Sequence, residues 1–352
     1  MKKNGRSRIH NNWDPGKQPL LEVSGLKTWF ELKGGMFSRR ADRIKAVDGV
    51  SFFLMQNETL GLVGESGCGK TTLGRTLLGL EAATGGAIFF RGSPLLELSK
   101  KDMNLMRRRL QVVFQDPLSS LNPRMNIMDI ITEGLAQFNM LEGPRAVEAS
   151  RLLGEVGLDG EMIYRFPHEF SGGQRQRINI ARALSMRPDL IICDEAVSAL
   201  DVSIQAQVIN LLLDLQRQHN LSYLFISHDL SVVSNIADRI AVMYMGRIVE
   251  SGITADVIEN PLHPYTRMLL AAIPVAGEKR VEKQAIKGET PSSAEPPPGC
   301  RFHPRCPEAM DVCSHEPPEE ISSDSRFICC HLYSRIPPGA FQDFRGSGQP
   351  FA

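Results

Sequence analysis

The chain of 352 residues carries 40 Lys and Arg against 40 Asp and Glu, so its formal net charge is zero. That length buries a full core and leaves room for one large domain with an appendage. The charge balance gives no global field to draw the chain to nucleic acid, and no apolar run approaches the ~18 residues that span a bilayer, so a membrane role must come through partners.

Residues 1–19 are basic at first (Lys2, Lys3, Arg6, Arg8) and continue into His10-Asn11-Asn12 instead of an apolar segment. They read as a disordered tail and not as a secretory signal. Residues 20 to 32 and 44 to 54 read as strands joined by a charged, glycine-containing connection, Lys33 to Arg43. Trp29 and Phe30 offer an aromatic face that either stacks on adenine or packs the sheet. Thr59 to Val63 is a short apolar strand, and Thr72 to Leu80, with leucines at 73, 77, 78 and 80, suits a buried helix. Between them, Gly64-Glu65-Ser66-Gly67-Cys68-Gly69-Lys70-Thr71 fits the phosphate-binding pattern G-x-x-x-x-G-K-[ST]. Glycines let several backbone N–H groups converge on one anion, and the following helix adds the positive end of its dipole. Lys70 is expected to reach the β- and γ-phosphates, and Thr71 to give a hydroxyl to Mg2+.

Ala87 to Phe90 reads as a further strand, and Lys101 to Arg109 as a solvated, charged segment. Leu110 to Phe114 ends in Gln115-Asp116-Pro117, where a glutamine can touch a metal or an attacking water and move with its loop. Met125 to Phe138 and Arg145 to Val156 show helical spacing and form an insertion. It closes at Ser171-Gly172-Gly173-Gln174, where Ser171 can cap a helix whose first N–H groups the glycines leave uncovered. Two glycines in a first turn are costly unless a ligand approaches the backbone, which makes a second anion site. Leu190 to Cys193 is a strand of the buried, parallel type that delivers Asp194 and Glu195, one toward a metal and the next toward water. Asp201 follows either in a functional turn or as a plain cap for Val202 to Leu215. Ser222 to Ile226 is another buried strand, and His228 follows where open α/β sheets bind ligands, as a γ-phosphate contact. Arg239 to Tyr244 and Arg247 to Glu250, around Met245-Gly246, suit a hairpin.

These residues resemble the ATP-binding cassette family over about 20 to 275, because loop, Gln115, Ser171 to Gln174, Asp194-Glu195, Asp201 and His228 come in family order. The resemblance implies an α/β fold: a P-loop core with an antiparallel β subdomain, an inserted α-helical subdomain and a small Cys-rich extension. The expected division is a cassette at 20–260 with its helical part near 118–180, a carboxyl-terminal region at 261–335, and a flexible tail at 336–352. The resemblance further implies paired ATPases, each ATP held between one phosphate loop (Gly64 to Thr72) and the other cassette's Ser171, Gly172, Gly173 and Gln174. Glu195 would be the general base, His228 and Gln115 its catalytic neighbours, and Asp194, Thr71 and Gln115 the Mg2+ side, with Phe30 stacking adenine.

Asn260 to Thr266 and Gly299 to Pro307 resemble the extension of peptide importers, specifically the F-type ATPase subunit. That implies a second ATPase as heterodimer partner, two permease subunits, an external peptide-binding protein, and a place on the cytoplasmic face of the inner membrane, with no nucleic acid. Similar chains import nickel or glutathione. The rival from another class is a soluble cassette acting on DNA or ribosomes, which commonly brings two cassettes or strong basic segments. One departure from the family is Ala196-Val197 in place of Pro-Thr after Glu195, expected to loosen the turn toward Asp201.

Of seven cysteines, five lie between 300 and 330. After a Pro- and Ser-rich linker (276 to 299), Cys300, Cys306, Cys313, Cys329 and Cys330 lack the C-x-x-C spacing of readily identified zinc sites. They read either as reduced thiols or as a metal centre, with iron–sulfur ahead of zinc on ligand softness. The resemblance implies a 4Fe-4S cluster on Cys300, Cys306, Cys313 and Cys330.

Overall fold

The computed structural model describes residues 18–31, 43–273, 291–292, 294–322 and 326–334. Most of the expected amino-terminal tail, of the Lys33 to Arg43 connection and of the 276 to 299 linker, and all of the 336–352 tail, lie outside them. The chain divides into two compact units, one holding residues up to 55, 60–97 and 228 onward, the other 56–59 and 98–227. Among the described residues no helix is long and apolar enough to cross a membrane.

In the first unit Leu21–Glu31 pairs antiparallel with Arg43–Leu54 and, on its other edge, with Gly85–Phe90. Leu21, Val23, Leu26 and Thr28 are buried while Lys27 and Phe30 face out. The buried positions step from odd to even where the ladder slips between Val23 and Leu26, at Gly25 with φ 56°. A second sheet pairs Thr59–Val63 in parallel with Arg239–Tyr244, which folds back on Arg247–Ile253. The turn between them is Met245-Gly246, at φ 43° and 80°, the two positive angles that a tight hairpin matching strand twist requires.

The carboxyl-terminal region continues this second sheet. Arg326–Cys329 pairs with Arg247–Ile253 and then with Glu320–Ser322. Leu262, Ile328, Cys330 and Tyr333 form an apolar cluster beneath it. The helix after the phosphate loop runs only over Lys70–Leu77, because Gly79 at φ 64° turns the chain out of the helix. Leu80, expected inside it, is exposed.

In the second unit Leu110–Val113, Leu190–Asp194 and Ser222–Ser227 form a parallel ladder. The latter two strands are buried at every position, as their unbroken apolar runs require. The expected insertion is three helices, Ile127–Gln137, Arg145–Glu155 and Gly172–Ser185. They pack through Ile130, Ile131, Leu152, Leu153, Ile178 and Ala181, each nearly or fully inaccessible. Each buried leucine and isoleucine among them contributes about 1.5–3 kcal/mol relative to exposure. Lys100–Arg109, by contrast, is a helix with no buried residue, held by its Ser99 cap.

Candidate nucleotide-binding site

Two glycines of the phosphate loop are packed too tightly for a side chain. A Cβ on Gly69, at φ 107°, would lie 2.0 Å from the Ala46 carbonyl oxygen. A Cβ on Gly64 would lie 2.2 Å from that of Met243. The buried Lys70 ammonium donates to the Gly64 and Glu65 carbonyls at 2.7 and 2.9 Å, curling the loop around its own cation. Ser66 and Gly67 stand exposed at its rim, and the first turn of the helix carrying Thr71 and Thr72 holds no acid. A ring of backbone N–H groups at an unopposed helix N-terminus fits a polyphosphate. Cys68 is buried 3.7 Å from the ammonium, and burial pushes its thiol up, so it serves as packing.

Glu65 is held from two sides. Its N–H donates to the Tyr265 hydroxyl at 2.8 Å, and its carboxylate accepts both Arg305 terminal nitrogens at 2.8 and 2.9 Å. Sequence reasoning found neither partner, although both lie in the two stretches that marked the carboxyl-terminal region. Tyr265 opens a helix, Pro264–Ala271, capped by the His263 ring, whose Nδ1 accepts from the Tyr265 N–H at 3.0 Å. Burial, with Arg267 adding to it, depresses His263 to about 3, so it is neutral. Glu250, fully buried, fixes the approach to this helix by accepting from the Leu262 and His263 N–H groups, both at 2.9 Å, and from Arg326 at 2.5 Å.

Of the two aromatic candidates, Trp29 is committed. Its indole N–H donates to Asp48 at 3.1 Å, and the Lys27 and Lys45 ammonium groups sit 5.6 and 5.1 Å from its ring. Phe30 keeps an exposed ring. Asp48 also binds Arg301 and, at 3.3 Å, Arg247. Burial pushes its carboxyl up, but the two guanidinium groups outweigh this and hold it below the usual carboxylate range.

The acidic half of the candidate set belongs to the second unit. Asp194 ends its strand, buried, and Glu195 follows at φ 49°, a left-handed conformation that costs a non-glycine residue about 1–2 kcal/mol. Its N–H donates to the Ile226 carbonyl at 2.9 Å, which fixes the twist. Gln115 donates to the Glu195 carboxylate at 2.8 Å, a direct tie that the sequence did not reveal. Ala196 and Val197, in the turn that follows, are both buried. The Ser198 N–H and hydroxyl donate to the Glu195 carbonyl, and the Leu200 N–H and Gln205 amide to that of Val197, at 2.9 to 3.2 Å. Asp201 stands at the cap position of Val202–His219 but makes no capping hydrogen bond.

Ser171 accepts from the Gln174 N–H at 3.4 Å while Gln174 accepts from the Ser171 N–H at 3.0 Å, a reciprocal box at the head of Gly172–Ser185. Ser171 and Gly172 are exposed. Gly173 has a second reason for being glycine, because a Cβ there would come 2.6 Å from the Ile204 Cγ2 methyl. His228 is exposed directly after Ser222–Ser227.

The metal-centre reading of the late cysteines is not supported among the described residues. All seven thiols are free, and among the described residues no group of three or more His, Cys, Asp or Glu is arranged to hold a metal ion. Cys330 is buried in the Leu262, Ile328 and Tyr333 cluster, and burial pushes it to about 12 and Cys306 to about 11. Cys329 donates to the Pro318 carbonyl at 3.5 Å. Burial and the neighbouring thiols together raise Cys330 and Cys306.

A P-loop fold with this inserted helical layer is that of an ATP-binding cassette. The sequence pattern of ABC transporters matches residues 47–198, and that of the oligopeptide/dipeptide transporter C-terminal region matches 249–313. The oligopeptide transport ATP-binding protein AppF of Bacillus subtilis is 51% identical over 324 residues, covering 90% of this chain and 98% of that one. OppF of Escherichia coli, of the same description, is 48% identical over 322 residues, covering 90% and 96%. The protein cbiO1 of Clostridium perfringens, part of the ABC transporter complex cbiONQ, shares the fold with a TM-score of 0.60 at 24% identity, over 69% of this chain and 92% of that one. The chain belongs to the ABC transporter family, as one of its ATP-binding, ATP-hydrolysing subunits.

Proposed function

We propose that this subunit powers the uptake of oligopeptides or dipeptides through a channel formed by other chains. The observation that carries the reading is the carboxyl-terminal match over 249–313, together with relatives whose names specify oligopeptide transport. The partners are a second, different ATPase subunit, two permeases and an external peptide-binding protein, with the subunit peripheral on the cytoplasmic face of the inner membrane.

In this reading Gly64 to Thr72 hold the triphosphate, Phe30 stacks on adenine, and Ser171 to Gln174 close on the ATP of the partner cassette. Mg2+, when bound, neutralises charge on the β- and γ-phosphates; Thr71, Asp194 and Gln115 are its candidate ligands. Glu195 takes a proton from the attacking water as that oxygen bonds to the γ-phosphorus, and the bond to the bridging oxygen breaks to release ADP. Gln115 and the left-handed backbone aim the carboxylate, which supports this role. His228 contacts the γ-phosphate, and Asp201, free of capping duty, faces the partner cassette.

Glu195→Gln tests the proposal. Turnover is expected to fall about 10²–10⁴-fold, the usual contribution of a general base, with ATP still bound. Trapped with ATP in its own cell, the variant should co-purify with two permeases, a second cassette and a peptide-binding protein. Normal turnover would overturn the base assignment, and recovery with ribosomes or DNA alone would overturn the transport reading.

A further inference from the structure

Arg305 sits in a short turn, His303–Arg305, between Cys300 and Cys306, 240 residues beyond Glu65. Its side chain is only 4% exposed, yet its two terminal nitrogens are spent on Glu65, a residue of the phosphate loop. The guanidinium lies 5.9 Å from the Tyr244 ring centroid and reaches the Tyr244 hydroxyl at 3.5 Å. Tyr244, Tyr265 and Phe302 pack together with ring centroids 4.6 to 5.4 Å apart, which fixes the platform from which Arg305 reaches. Tyr265 in turn holds the Glu65 N–H, and the Glu65 carbonyl is one of two that hold the Lys70 ammonium.

We infer that Arg305 is a positioning residue for nucleotide binding: the carboxyl-terminal region neutralises and aims Glu65, and thereby sets how tightly the loop holds a triphosphate. The physical reason is charge. Glu65 places a carboxylate in a loop built to attract anions, and a bidentate guanidinium both cancels its charge and fixes its orientation. Without Arg305 the carboxylate is released to repel the triphosphate and to compete for Lys70. The inference rests on Gly64 to Thr71 being the phosphate loop.

The test measures equilibrium ATP binding and the kcat and KM of ATP hydrolysis for the purified chain and four variants. Arg305→Gln is expected to weaken ATP binding and raise KM about tenfold, the size of one lost charge compensation, with kcat within about twofold. Glu65→Gln with Arg305→Gln is expected to recover binding to within about threefold of the parent, since the repelling charge is gone. Arg305→Lys, which keeps charge but not the fork, falls between the two, and it decides the matter if Arg305→Gln does not fold. Unchanged KM in Arg305→Lys and Arg305→Gln overturns the inference, as does a double variant as impaired as the single one, which marks a merely structural contact. Lys70→Ala separates the two readings. If it binds ATP normally, the loop assignment itself falls; if it loses ATP while the Arg305 variants do not, only the inference falls.

Discussion

Lowering the pH should strip stability from the region around Tyr265 through one residue, His263. Its ring is 1% exposed and accepts the Tyr265 N–H, and its pKa is depressed from 6.5 to about 3 by burial and, secondarily, by Arg267. The unfolded chain binds this proton below about pH 6.5, whereas the folded chain refuses it until about pH 3. Stability from this group is therefore complete above 6.5, is lost as pH falls, and stops falling below about 3. The slope is about 1.4 kcal/mol per pH unit, so moving from pH 7.5 to 5.0 costs about 2 kcal/mol from His263 alone. His263→Asn supplies the control, because asparagine is a strong helix cap that does not titrate. Urea unfolding of both chains at the two pH values isolates the term, since every other titrating group is shared. The parent is expected to lose about 2 kcal/mol more than the variant over this interval. Parallel losses would refute the reasoning, because they would mean that His263 takes up its proton equally in both states.

Two further perturbations test the architecture. Gly69→Ala places a methyl group 2.0 Å from the Ala46 carbonyl oxygen at a φ that alanine avoids, and ATP binding by calorimetry is expected to weaken about 100-fold or more as the loop is displaced. Glu250→Gln leaves the Arg326 guanidinium, nearly buried, without its counter-charge and removes one of two carboxylate oxygens that fix Leu262 and His263. Chemical denaturation should show a loss of about 3 kcal/mol, the cost of breaking a buried ion pair from one side.

The elements that the sequence made legible are those whose signal is local. The apolar runs at Leu190 to Cys193 and Ser222 to Ile226, the three-residue and four-residue spacing of the helical insertion, and the Met245-Gly246 turn all report their own conformation. Ser171 was readable as a cap because the N–H that donates to it lies three residues away, at Gln174. What stayed hidden was long-range. Nothing near Glu65 indicates that its carboxylate meets Arg305, and nothing near Gln115 indicates Glu195, 80 residues on. The late cysteines cluster in sequence, but spacing alone does not reveal that Cys330 packs beside leucine and isoleucine. Leu80 misled for a simpler reason: periodicity alone does not stop a helix, and Gly79 does.

The tethers on the phosphate loop also constrain the order in which the molecule can mature during synthesis. Glu65 waits 200 residues for Tyr265 and 240 for Arg305, and Asp48 waits 253 for Arg301. At the usual elongation rate of about 5–20 residues per second, 240 residues take roughly 12–50 s. Throughout that interval the loop has been made without these restraints. A nascent cassette truncated before Arg305 thus holds every residue that recognises ATP but not the set that fixes their geometry. If Arg305 positions Glu65 as inferred above, the loop reaches its full affinity for nucleotide only once the carboxyl-terminal region has been made.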